Sequence, residues 1–204
     1  LMKGALEEKG VRVFEGQTLQ SIQADCAFLD DGSPIPMDAC LVAIGKHHDF
    51  SALGLVDAGI KWDAGGIHVG KSLQTSNKRV FAIGDCAALP RRSTHAAGYE
   101  AGLLVRKIGL RLPIKHKPEL IPSVIYARPE LAATGMGMQQ AEKQPGIRIL
   151  HEPFTGNDRA ICEGNERGFI KLAIRRNGRV AGVEICGRGA ADMLPVWQMM
   201  ITYG

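Results

Sequence analysis

Two apolar runs that each end at a glycine constrain this chain more than any other feature. Ala39-Cys40-Leu41-Val42-Ala43-Ile44 runs into Gly45, and Val80-Phe81-Ala82-Ile83 runs into Gly84-Asp85. A strand with one wet face alternates polar and apolar residues, so an uninterrupted apolar run fits a strand covered on both faces. Strands of that kind belong to α/β sheets with helices packed on either side. The second run has the more informative ending. A glycine permits close backbone approach, and a carboxylate at the C-terminal edge of a strand sits where open α/β sheets hold their ligands. Asp85 can there accept a hydrogen bond from a sugar or polyol hydroxyl, and the helix that follows can point its N-terminus at an anionic or electron-rich group. On Gly84-Asp85 alone, the competing reading is a plain turn.

The helix expected after that loop covers residues 94–108. Ala97, Ala101, Leu104, Val105 and Ile108 recur at helical spacing and predict one apolar face. Ser93 or Thr94 suits the N-cap, and Arg106 and Lys107 suit the negative end of the helix dipole. Upstream, residues 1–10 read as the end of an amphipathic helix stopped by Gly10, and residues 11–14 as a strand. Asp30-Asp31-Gly32 reads as the turn of a small hairpin between Cys26-Ala27-Phe28-Leu29 and the segment from Ser33. The basic, proline-containing stretch 111–118 marks an interdomain linker. Beyond it, short strands are expected near 123–126, 147–154, 159–162, 169–175 and 180–185, the last two joined by Asn177-Gly178. A short helix over 137–143 and a terminal helix from Ala190 complete an antiparallel α+β domain.

Composition narrows the range of functions. The 204 residues, 45% of them hydrophobic, suffice to bury the core of one large or two small domains. A net charge of +4 without a run of one sign argues against a nucleic-acid or anionic-membrane partner, and two Trp, three Tyr and six Phe are too few for base stacking. No apolar run nears the roughly 20 residues that cross a bilayer, and the first residues lack the long apolar core of a signal peptide. Cys26, Cys40, Cys86, Cys162 and Cys186 are odd in number and widely spaced, as expected of reduced thiols in a cytoplasmic protein, most of them packing as small hydrophobes. Alternatives at single motifs weigh less. Cys86 fits a small packing residue better than a reactive thiol, and Arg91-Arg92 fits a solvated pair at least as well as a phosphate site; His47-His48-Asp49 lacks third and fourth ligands at a readable spacing, so no metal is expected. Met193, Trp197 and Met200, at i, i+4 and i+7, fit a core or subunit face.

Taken in order, these segments resemble the class I pyridine nucleotide-disulfide oxidoreductases, flavoproteins that include dihydrolipoamide dehydrogenase, glutathione reductase and mercuric reductase. Asp38-Ala39-Cys40-Leu41-Val42-Ala43-Ile44-Gly45 is similar to the strand that ends the family's NAD(P)-binding domain, and Leu53-Gly54-Leu55 through Gly59-Ile60 to the segment after it. Ile67-His68-Val69 through Gly84-Asp85 is similar to the second flavin-binding motif. Ile121-Pro122-Ser123-Val124-Ile125-Tyr126-Ala127-Arg128-Pro129-Glu130 resembles the start of the dimerisation domain, and Gly168-Phe169-Ile170-Lys171-Leu172 with residues 180–187 its central hairpin. The resemblance implies an α/β plus α+β architecture, in which C-terminal parts of FAD/NAD(P)-binding Rossmann-like domains precede a dimerisation domain. It divides the chain into residues 1–47 (end of the NAD(P) domain), 48–111 (FAD-domain segment), 112–118 (linker) and 119–204 (dimerisation domain).

The same resemblance implies FAD and NAD(P) as cofactors. Gly84 and Asp85 then lie at the FAD ribityl hydroxyls, Arg92, Ser93, Thr94 and His95 at the start of the helix facing the flavin, Gly45 by the nicotinamide nucleotide and Leu19 by its adenine. It also implies a homodimer through 119–204 and a small-molecule or protein disulfide or dithiol as substrate. This sequence departs from the family pattern at Lys46-His47-His48, where Arg-x-Pro is usual, and in a loop between Asp85 and His95 about one residue longer than in close relatives. Gly-x-Gly-x-x-Gly, the redox Cys-x4-Cys and the late His-x4-Glu pair are all absent from these residues. The expectation is therefore a C-terminal piece of a longer flavoenzyme, cut at both ends, without catalytic residues of its own and inactive alone. The alternative from another class is a non-catalytic dimerisation or interaction module.

Overall fold

The computed structural model describes residues 1–204. Its backbone divides into Met2–His47 and His48–Gly204.

In the first unit, helix α1 (Met2–Glu7) precedes a three-stranded antiparallel sheet of β1 (Leu19–Gln23), β2 (Cys26–Leu29) and β3 (Pro34–Pro36). The expected β2–β3 hairpin is present, and the Asp31 carboxylate accepts the Ser33 N–H at 2.8 Å inside its turn. The strand expected at 11–14 is not formed. The ladder runs through β1 instead, where Ile22 pairs with Ala27 and Gln23 with Cys26, and residues 11–14 find no partner strand. Nor is the apolar run 39–45 a buried strand: Leu41 and Ile44 are each 92% exposed. A strand covered on both faces needs a neighbour for its backbone and helices over its side chains. The single sheet of this unit stops at β3 and offers neither.

In the second unit, residues 48–110 form a loop-rich lobe around Phe50, Leu55, Ile60, Ile67, Ala82 and Ala87. A two-stranded hairpin of β4 (Trp62–Asp63) and β5 (Gly66–Ile67) lies on it. The run 80–83 is extended but is not a full strand. It makes one bridge, Phe81 to Gln74, and Ala82 N–H donates to Leu73 O at 3.2 Å. Helix α2 (Thr94–Leu104) starts where expected, with Ser93 Oγ accepting the Ala96 N–H at 3.2 Å, and continues into a π-helical turn over Val105–Gly109. Its buried stripe is Ala96, Glu100 and Leu103, about 100° round from the predicted one, while Val105 and Ile108 are exposed. A polar contact sets this rotation, because Glu100 takes up a backbone N–H from the Gly84 turn.

Residues 119–204 carry a five-stranded antiparallel sheet in the order β6 (Ser123–Ile125), β7 (Glu130–Gly135), β10 (Val180–Gly187), β9 (Phe169–Arg175), β8 (Ile147–Pro153). Helix α5 (Ala190–Tyr203) packs Ala190 and Leu194 on Ala132, Val183 and Ile185, and helix α3 (Met138–Lys143) packs Met138 and Ala141 on Ala173 and Ala181. Leu172 borders the first cluster and its neighbour Ala173 lies in the second, so strand alternation puts the two helices on opposite faces. Glu130 accepts the Ala191 N–H at 3.1 Å and caps α5, and Gln198 ties the same helix to Leu120 O at 2.8 Å. The β9–β10 turn holds Gly178 at φ +82°. The strand expected at 159–162 is instead helix α4 (Asp158–Cys162). Asn157 Oδ1 caps its Ala160 N–H at 2.9 Å, and Asp158 supplies the favoured negative charge in the first turn. The inner strand β7, Glu-Leu-Ala-Ala-Thr-Gly, had no hydrophobic signature by which to predict it.

Candidate functional site

The extended segment 80–83 delivers the chain into a 3-10 turn, Gly84–Cys86, closed by Ala87 N–H to Gly84 O at 3.1 Å. Gly84 sits at φ +68°, in the left-handed region, and a Cβ there would stand 3.3 Å from Ala97 Cβ on α2. Glycine therefore serves twice, allowing the turn and letting it rest on the helix. Asp85 is half-buried on this turn and engaged in a polar interaction. Cys86 directs its thiol to Ile83 O at 3.2 Å and packs against the lobe's core, as a small hydrophobe does.

The β4–β5 hairpin holds the turn from the other side. Ala88 N–H donates to Ile67 O at 2.8 Å, and a Cβ on Gly66 (φ +117°) would stand 2.7 Å from Cys86 O. The Arg92 guanidinium donates to Gly65 O, which pins the hairpin to the start of α2. Asp63 in the hairpin bonds His68 Nε2 at 2.8 Å, and that bond holds its carboxyl below the usual carboxylate range, helped by the Gly65 N–H and by Arg92. At the head of α2, Ser93 caps the Ala96 N–H, while Thr94 and His95 are exposed and their amides precede the first intrahelical bond.

Of the residues singled out in the sequence, Gly84, Asp85, Arg92, Ser93, Thr94 and His95 thus gather around one turn and one helix start. Leu19, on β1, and Gly45, at φ +121°, are both exposed and belong to the Met2–His47 unit. Two residues at the turn were missed. Glu100 is fully buried and accepts the Gly84 N–H on Oε2 at 2.7 Å. His116, from the stretch read as a linker, is also buried. Its Nε2 stands 3.2 Å from Glu100 Oε1, at ion-pair distance but off hydrogen-bond alignment, and its backbone N–H donates to Lys71 O at 2.8 Å. One signal pointed to Glu100, which is the single carboxylate between Asp85 and Glu119.

Residues 1–102 match the family model described as pyridine nucleotide-disulphide oxidoreductase, and residues 121–204 match the model of that family's dimerisation domain. The chain belongs to the pyridine nucleotide-disulphide oxidoreductases. It is 31% identical over 215 residues to a dihydrolipoyl dehydrogenase of Geobacillus stearothermophilus, an alignment that spans all of this chain and 45% of the relative. It is 28% identical to the dihydrolipoyl dehydrogenase of Staphylococcus aureus, again over 45% of that protein. The chain thus spans a little under half the length of the curated relatives it matches. In fold it is similar to LpdA from Mycobacterium tuberculosis (TM-score 0.88, 22% identity, 98% of this chain and 45% of that one). It is similar also to the HOCl-induced flavoprotein disulfide reductase RclA from Escherichia coli (TM-score 0.81, 20% identity, 98% and 47%). The α/β plus α+β architecture with a dimerisation domain agrees with these matches. No helix is long and apolar enough to cross a membrane.

Proposed function

We propose that this chain is the C-terminal part of a cytoplasmic, FAD-dependent oxidoreductase that passes electrons between NAD(P)H and a disulfide or dithiol, small or protein-borne. Residues 1–47 are read as the end of its NAD(P) domain, 48–111 as part of its FAD domain, 112–118 as the connecting segment and 119–204 as the dimerisation domain. The observation that carries this reading is the Gly84–Asp85 turn seated against a Ser93-capped helix, within a chain matched by both family models. The donor set suits a flavin nucleotide. Asp85 offers a carboxylate to ribityl hydroxyls, and the Thr94 and His95 amides offer a positive helix end to an electron-rich ring. Bound FAD supplies the hydride and electron transfer. The residues of this chain bind and orient it, with Arg92 holding the hairpin that frames the turn. Gly45 and Leu19 are assigned to the nicotinamide nucleotide and its adenine. A homodimer is supported by the outer side of α5, where Val196, Met199, Met200 and Tyr203 are exposed.

The test is flavin content. In the protein that carries this chain, Asp85→Ala is expected to weaken FAD binding about ten- to a hundredfold, the worth of one hydrogen bond to a charged group. Visible absorbance after exhaustive dialysis measures it, and full flavin retention by the variant overturns the role of Asp85.

A further inference from the structure

The proposed flavin site leaves unused the most deeply buried ionisable group in the molecule, Glu100. Glu100 has no exposed surface, yet it lies on a helix whose other buried positions, Ala96 and Leu103, are apolar. A carboxylate is costly to bury without partners. Its two oxygens face different groups. One oxygen takes the Gly84 N–H at 2.7 Å, the length of a charge-assisted bond, and the other faces the His116 imidazole at 3.2 Å. Tyr99, one residue before it on α2, has its ring 6.0 Å from that of His116. The bond to Gly84 ties the first residue of the turn to α2, and Asp85 is the next residue along the chain.

We propose that Glu100 is a positioning residue for the cofactor site. By holding the Gly84 N–H it sets the left-handed turn that presents the Asp85 carboxylate to the hydroxyls of a flavin nucleotide, and His116 completes the shell that makes a buried carboxylate tenable there. This rests on the flavin reading of Asp85, but the geometric half of it is testable without flavin. A Gly84 amide without that acceptor is left to solvent or to a strained turn, and the direction of Asp85 is then no longer fixed.

The experiment compares Glu100→Gln, which keeps an acceptor oxygen, with Glu100→Met, which keeps the length and loses the acceptor. Hydrogen exchange at the Gly84 amide is read by NMR in the 204-residue chain, and FAD affinity is read in the protein that carries it. Exchange is expected to rise about ten- to a hundredfold in Glu100→Met and to stay within about threefold in Glu100→Gln, with FAD affinity following the same order. Equal exchange in wild type and Glu100→Met overturns the proposal, as does loss of FAD affinity in Glu100→Gln equal to that in Glu100→Met. FAD binding that ignores Glu100→Met overturns it too. If the wild-type protein binds no FAD while Gly84 exchange follows the expected order, the flavin reading fails and the hold on the turn stands. If Glu100→Met does not fold, the wild-type chain still decides, because an unprotected Gly84 amide there overturns the proposal.

Discussion

Residues 39–45 and strand β10, an apolar run broken only by Glu184, are opposite in fate. In β10, Val180–Gly187, every residue but Glu184 is buried, whereas in 39–45 Leu41 and Ile44 are almost wholly exposed. The difference lies in the neighbours. β10 has β7 on one side, β9 on the other and α5 across its face, so its backbone and its side chains are both accounted for. Residues 39–45 have no strand beside them within their own unit. Apolar patterning states a demand for burial, and only the surrounding chain can meet it.

The sharpest way to break this comparison is to add one methyl group in each of the two units. At Gly182 a Cβ would stand 2.0 Å from Met136 O and 2.7 Å from Met136 N, both backbone atoms that cannot yield. Gly182→Ala is expected to lose about 3 kcal/mol or more of stability, read from the urea midpoint of Trp fluorescence, since Trp62 and Trp197 both lie in the His48–Gly204 unit. At Gly4, in α1, nothing stands within 4 Å and φ is ordinary. Gly4→Ala is expected to stabilise α1 by about 0.5–1 kcal/mol, read by amide exchange in that helix. An equal loss in both variants erases the distinction.

Thiol chemistry sharpens the same contrast. Cys186 on β10 is 3% exposed, and burial pushes its thiol pKa up, whereas Cys40 in the apolar run is exposed, as is Cys162 in α4. Iodoacetamide followed by peptide mapping is expected to modify Cys40 and Cys162 at least about a hundredfold faster than Cys186, which reacts only through opening of the sheet. Comparable rates at Cys40 and Cys186 contradict the observed burial.

The places where sequence reasoning succeeded share a local cause. The Asp31-Gly32 and Asn177-Gly178 turns, the Ser93 cap and the terminal helix are each dictated by residues next to one another, and the family resemblance rests on motifs of the same kind. The failures are non-local. The strand at 11–14 lost to Leu19–Gln23 because pairing depends on register with β2. Asn157, a cap next to an acidic first turn, outweighed the strand tendency of 159–162. At the candidate site, the Ser93 cap was legible because a cap has a signature in adjacent residues. Glu100 was not, because a helical carboxylate looks solvated until the chain folds Gly84 and His116 onto it.

A smaller effect probes the sheet itself. Thr134, on β7 and 1% exposed, has a hydroxyl with no hydrogen-bond partner. Thr134→Val removes an unsatisfied polar atom at nearly constant shape and is expected to stabilise the sheet domain by about 1 kcal/mol, read from the same urea midpoint. A loss of stability instead means that the hydroxyl has a partner in solution.

The smallest effect concerns Asp63 and His68, which are exposed and therefore screened. The bond from His68 lowers the Asp63 pKa below its ordinary 3.8, so the folded state binds that proton less readily than the unfolded chain does. The stability this contributes is complete above pH 3.8 and is lost as pH falls through the lower folded value. Thermal midpoints of the wild type and of Asp63→Asn are therefore expected to differ slightly at pH 5, to converge below pH 3.8, and to differ less in high salt. A gap that widens on acidification reverses the sign and removes the pair as the cause. Because the pair closes the β4–β5 hairpin that frames the Gly84 turn, its loss is also expected to loosen that hairpin before any part of the five-stranded sheet.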